Sequence, residues 1–153
     1  MNSEQTPGRR IVVGVDGSPS SKAALAWAVG QARLTGDSIE AVIAWHYPAM
    51  AGGIPFMPAG DLEGSDFGGF AATVLSDAIN EMVDPAEPVK VSSTVREGNA
   101  AQVLLEIAEG ADLLVVGSRG HGGFTEALLG SVSQECVHHA PCPVVIIRAP
   151  MGR

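Results

Sequence analysis

Four glycines fall within the seven residues Gly117-Ser118-Arg119-Gly120-His121-Gly122-Gly123, and after a spacer of nine residues counted from Gly120 comes Gly130-Ser131-Val132-Ser133. Glycine reaches positive φ and has no side chain, so backbone N–H groups around it can close on a phosphate. Two hydroxyls at a helix start add donors where the helix already favours an anion. Amides that converge in this way hold a phosphate chain without any net positive charge of their own. The spacer, residues 121–129, is long enough to travel round a triphosphate and return. A second segment, Gly14-Val15-Asp16-Gly17-Ser18, contributes a carboxylate and turn-forming residues, and His46 stands at the end of another apolar run.

These segments need a frame, and hydrophobic periodicity predicts one. Residues 10–15 (RIVVGV) form a β-branched run that reads as a strand buried on both faces. Ser18 is a candidate helix cap with Pro19 at the first position, and Gly36 stops the helix. Residues 39–45 (IEAVIAW) read as a second strand. Residues 89–95 (VKVSSTV) alternate and read as a less buried third. Asn99 caps a helix running to about residue 109, residues 112–116 (DLLVV) form a fourth strand, and residues 124–139 read as a further helix. Val144 to Ile147, within VVIIR, gives a short fifth strand. A helix is also predicted over about residues 70–82, after a Gly- and Pro-rich stretch at 48–69 that reads as a long loop, with the character of a lid over a ligand. Strands that alternate with helices throughout predict a single-domain, doubly wound five-stranded parallel α/β sheet with helices on both faces. Such sheets bind ligands beyond the carboxyl ends of their strands, where the crossover direction reverses. If the first and fourth strands are neighbours, the two glycine-bearing loops face one cleft.

The totals exclude several classes. The 153 residues fit one compact domain, and 46% apolar residues suffice for a core. A net charge of −8 gives no basic stripe for nucleic acid and disfavours anionic membranes. No apolar run approaches the roughly 18 residues of a membrane span, residues 1–10 are polar without a signal-peptide core, and residues 1–8 read as a flexible N-terminus. The expectation is a soluble cytoplasmic protein that binds neither nucleic acid nor membrane. Cys136 and Cys142 form no C-x-x-C pattern and read as reduced thiols. His138 and His139 close a helix, where a cationic imidazole suits the macrodipole, and no metal role is assigned to them. Trp27 and Trp45 read as core residues.

Motif absences narrow the chemistry. There is no G-x-x-x-x-G-K-[ST] of a P-loop NTPase, no G-x-G-x-x-G after the first strand, and no G-x-S-x-G elbow. The only lysines are Lys22 and Lys90, poorly placed for a receiver domain. No nucleophile with an activating base is apparent, so no catalytic residue is assigned.

The spacing Gly117-x2-Gly120-x9-Gly130-Ser131 matches the G-x2-G-x9-G-[ST] signature of the ATP-binding universal stress proteins. The opening strand followed by Asp16-Gly17-Ser18 resembles that family's start. Leu128-Leu129-Gly130-Ser131-Val132-Ser133, with Cys142-Pro143-Val144-Val145-Ile146-Ile147, resembles its close. The resemblance spans about residues 9–149. It implies sheet order 3-2-1-4-5 with two helices on each face, and ATP, with Mg²⁺, as the ligand. It places Gly14 and Asp16 by the adenine or ribose, His46 at the border of the base, and Gly117 by the ribose. Ser118, Arg119, Gly120, His121, Gly122 and Gly123 would surround the phosphates with Gly130, Ser131, Val132 and Ser133. Where many relatives carry a basic side chain inside the phosphate loop, this chain has His121, and Arg119 stands ready to supply charge. The resemblance also implies a homodimer paired through the fifth strand, residues 143–148, which would cover an apolar edge. The function implied is a regulatory adenine-nucleotide-binding module in the stress response. A slow Mg-dependent ATPase using Asp16, and a cyclic-AMP binder on the same scaffold, are the alternatives. Its protein partners stay open.

Overall fold

Strand β1, Arg10–Gly14, lies at the centre of the sheet, with Ile11, Val12 and Val13 fully buried. Its β-branched residues face helices on both sides, as a central parallel strand requires. The computed structural model describes residues 8–46, 66–118 and 129–149. Helix α1 follows at Pro19–Thr35. Ser18 caps it in extended geometry, accepting from the Ser21 N–H, and Pro19 opens the first turn. Gly36 ends it at φ +82°, its N–H bonded to the Ala32 carbonyl.

Strand β2 is Ser38–Trp45, helix α2 is Phe67–Met82, and strand β3 is Val91–Glu97. Helix α3 runs Ala100–Ile107 with Asn99 as its cap, strand β4 is Leu113–Gly117, helix α4 is Ser131–His139, and strand β5 is Val144–Ile147. All pairings are parallel, and the order is β3-β2-β1-β4-β5, the predicted 3-2-1-4-5.

Two apolar cores lie on either side of the sheet. Helices α1 and α2 cover Ile11, Val13, Ile39 and Val115 with Leu25, Val29 and Leu75. Helices α3 and α4 cover Val12, Val42, Leu114 and Val116 with Leu104 and Cys136. Trp27 and Trp45 pack half-buried at the rim of the first core. Among the described residues, no helix is long and apolar enough to cross a membrane.

Two helix starts differ from expectation. Helix α2 begins at Phe67, because the Asp66 carboxylate accepts the Gly69 N–H and caps the turn earlier than the apolar pattern suggests. It thereby takes in the last residues of the stretch expected to be loop, most of which lies outside the described residues. Helix α4 begins at Ser131. Leu129 and Gly130 stand outside it, and Gly130 is extended at φ −69°, ψ 167°. The extended Gly130 caps this helix, and residues 124–128 of the helix expected over 124–139 lie outside the described residues.

Candidate functional site

The sheet's carboxyl edge is stepped. Gly14 ends β1 level with Val42, yet β2 runs on to Trp45, and β4 runs on to Gly117 beside Ile147. The end of β1 is therefore a notch walled by β2 and β4. It coincides with the topological switch, since the chain leaves β1 for β2 on one side and reaches β4 on the other.

The floor is the turn after β1. The Val15 N–H still bonds the Val42 carbonyl at 2.8 Å, and Gly17 then turns the chain at φ +85°. The Asp16 carboxylate accepts the Ser18 N–H at 2.9 Å, and the Asp16 N–H donates to Ser21 Oγ at 3.2 Å. The Ser21 hydroxyl in turn donates to the Ser18 carbonyl at 3.1 Å. Ser18, Ser20 and Ser21 are all buried. The start of α1 is thus closed by its own serines, by Asp16 and by Pro19, which has no N–H.

Glycine at 117 has a packing cause. A Cβ there would lie 2.6 Å from the Ser20 carbonyl carbon and 2.8 Å from its oxygen, and would also strike Ser20 Oγ. The first turn of α1 rests directly on the end of β4. At Gly14 a Cβ would meet Leu104 Cδ1 at 2.8 Å, so that position faces α3 and not the notch.

Ser118 joins three elements. Its N–H donates to the Ile147 carbonyl of β5 at 2.8 Å, and its own carbonyl accepts the Gly130 N–H at 2.8 Å. The same carbonyl lies 3.1 Å from Ser133 Oγ, which is also 3.0 Å from the Gly130 carbonyl. The excursion that leaves β4 and returns at Gly130 is therefore tied shut at its base. Beyond it, α4 starts with no side-chain cap at Gly130. The first-turn amides of any helix have no acceptor within it, and here no cap side chain takes them, an arrangement with the chemistry to accept an anion.

The predicted residues fall as follows. Gly117, Ser118, Gly130, Ser131, Val132 and Ser133 come together where β4 meets α4. Ser131 is exposed. Val132 turns its side chain into the second core, leaving only its backbone for a ligand, and Ser133 is 2% exposed with its hydroxyl pointing inward. Asp16 is half-buried in the turn floor, and His46 is exposed one residue beyond β2. Arg119, Gly120, His121, Gly122 and Gly123 lie outside the described residues. Sequence reasoning missed Ser20 and Ser21. The run of small residues at Ser18-Pro19-Ser20-Ser21 was the available signal that a helix start packs closely here.

Among the described residues, no group of three or more His, Cys, Asp or Glu is arranged to hold a metal ion. Cys136 and Cys142 are free. Burial, with smaller contributions from Glu135 and Cys142, pushes the Cys136 thiol up to about 11, and burial also raises Cys142. These thiols favour the protonated, unreactive form.

An open parallel sheet in this order, notched at its switch point and flanked by an uncapped helix start, defines a doubly wound α/β domain. The model of the universal stress protein family matches residues 8–148. A universal stress protein of Mycolicibacterium smegmatis is 37% identical over 138 residues, covering 90% of this chain and 45% of that protein. UspA from Lactobacillus plantarum superposes with a TM-score of 0.74 at 25% identity, covering 92% of this chain and 97% of that one. A universal stress protein solved in complex with cAMP gives a TM-score of 0.67 at 25% identity, covering 93% and 98%. The chain belongs to the universal stress protein family. It spans about half the length of the first curated relatives that it matches.

Proposed function

We propose that the protein binds an adenine nucleotide, ATP with Mg²⁺, in the notch above β1 and serves as a regulatory module of the stress response. The observation that carries this reading is the closure at Ser118. One carbonyl accepts the Gly130 N–H at 2.8 Å and so holds the uncapped start of α4 beside the end of β4. The two helix starts that flank the switch point are then unequal. That of α1 is closed by Asp16, Ser18 and Pro19, whereas that of α4 has amides facing outward. The phosphates belong at α4, held by the amides of Ser131, Val132 and Ser133 and by the Ser131 hydroxyl. The base and ribose belong over β1 and the end of β2, near Asp16 and His46. Main-chain amides would hold the phosphates without calling on basic side chains in this acidic protein, and Mg²⁺ would arrive on those phosphates, since among the described residues no metal cluster forms.

Cyclic AMP is the second reading, favoured by the relative solved in complex with cAMP. We also propose a homodimer paired along β5, whose four residues are all half-buried along an edge that no other described strand pairs, and a cytoplasmic location. Isothermal titration with ATP, AMP and cyclic AMP tests the main reading. Absence of heat with all three at millimolar concentration refutes it, and cyclic AMP binding tightest replaces ATP with the second reading.

A further inference from the structure

Ser133 is among the most completely buried polar residues described, at 2% exposure. Its Oγ lies 3.1 Å from the Ser118 carbonyl and 3.0 Å from the Gly130 carbonyl. A hydroxyl has one hydrogen, so it donates to one of these oxygens at a time while standing over both. Those two carbonyls belong to the last residue before the glycine-rich excursion and to the cap of α4. The Ser118 carbonyl also accepts the Gly130 N–H, and the Gly130 carbonyl also accepts the Gln134 N–H at 3.0 Å. Ser133 therefore stands, among the described residues, beside the Gly130-to-Ser118 hydrogen bond that sets the start of α4 against the end of β4.

We propose that the Ser133 side chain is a positioning group for the phosphate end of the site: its hydroxyl does not touch the nucleotide, but locks the Gly130-Ser131 backbone at the height where the amides, that of Ser133 included, converge. The proposal rests on the adenine-nucleotide reading for its ligand and on the hydroxyl geometry for its mechanism. Ser131, by contrast, is exposed at the same helix start and is free to touch a phosphate directly. Without the Ser133 hydroxyl, the Ser118 carbonyl keeps only the Gly130 amide. The cap gains freedom, and an ordered anion site must then be assembled at the moment of binding. The loss falls on ligands that carry phosphate and spares those that carry only base and ribose.

The test is Ser133→Ala, which deletes one atom from a buried site and leaves the helix intact. Two measurements are made on the full chain: titration with ATP and with adenosine, and the hydrogen-exchange rate of the Gly130 amide in ligand-free protein by NMR. ATP affinity should fall about tenfold, as expected for loss of one hydrogen bond, with adenosine affinity unchanged. Exchange at Gly130 should accelerate by a similar factor. Equal weakening of both ligands overturns the proposal, because that is general destabilisation. Weaker ATP binding with unchanged Gly130 exchange also overturns it, because Ser133 would then contact the phosphate itself. If the wild-type protein binds neither ligand, the nucleotide reading fails on its own, and unchanged exchange in the variant overturns the locking role separately.

Discussion

Replacing Gly117 with alanine tests whether helix α1 truly rests on the end of β4. The added Cβ would stand 2.6 Å from the Ser20 carbonyl carbon, against the 3.4 Å at which ordinary contact begins, so one partner must retreat by roughly 0.8 Å. The obstacle is backbone, and the helix that carries it buries Ala24, Leu25, Ala28, Val29 and Ala32 against the sheet. A shift of that helix disturbs the whole first core, at a cost of about 2–3 kcal/mol by analogy with overpacked interiors. For a domain of this size the melting temperature should fall by roughly 5–10 °C. Gly117 is not among the positive-φ glycines, so the penalty is steric and not conformational. Gly14→Ala is the control. Its Cβ meets only the far end of Leu104 at 2.8 Å, a side chain that can rotate, and the cost should stay under about 1 kcal/mol. Urea denaturation of both variants and wild type decides the matter. Gly117→Ala as stable as wild type, or no less stable than Gly14→Ala, refutes the packing argument.

Ser131→Ala should weaken ATP binding about three- to tenfold while leaving the melting temperature in place, measured by titration and calorimetry, because its hydroxyl is exposed at the α4 start. Glu40→Ala should cost about 1–3 kcal/mol in urea, since Glu40 accepts from Arg10 at 2.7 Å and from Thr94 at 2.7 Å, and its removal takes the carboxylate from a half-buried guanidinium that also bonds the Glu109 carbonyl. Gly36→Ala should cost about 1 kcal/mol, because φ +82° there suits only a residue without a side chain. The Cys136 thiol titrates near 9 when unfolded and near 11 when folded, so above pH 9 the unfolded chain releases its proton first. Its contribution to stability is whole below pH 9 and is lost as pH rises from 9 through 11. Wild type should lose stability over that window more steeply than Cys136→Ala.

Local signals in the sequence carried most of the frame. Ser18-Pro19 and Gly36 bracket α1, Asn99 opens α3, and the β-branched runs at β1 and β4 announce central strands. Each of these depends on neighbours in the chain, which is why it can be read there. The strand order rested on family resemblance, since periodicity does not say which strands touch. What escaped the reading depends on residues distant in sequence. Gly117 was read for its approach to a ligand, yet Ser20, nearly a hundred positions earlier, already forbids a side chain there. Ser133 was read as a possible contact, but its hydroxyl answers a carbonyl 15 residues back. The start of α4 is hard to read locally because Leu129 continues an apolar spacing that suits a helix, while Leu129 and Gly130 lie outside the helix.

The two rims of the sheet are chemically unlike. Along β3 the outer rim bears Arg96 and Glu97, with Lys90 just before it, all exposed, whereas β5 presents two valines and two isoleucines. A two-fold axis at the aliphatic rim, as in the proposed homodimer, would set like against like and hide both copies of it at once. Only the rims bearing Lys90, Arg96 and Glu97 would then remain outward, and charged side chains on an edge disfavour pairing with a third sheet. Lateral growth by this molecule would accordingly be self-limiting, stopping at a pair instead of extending as a ribbon.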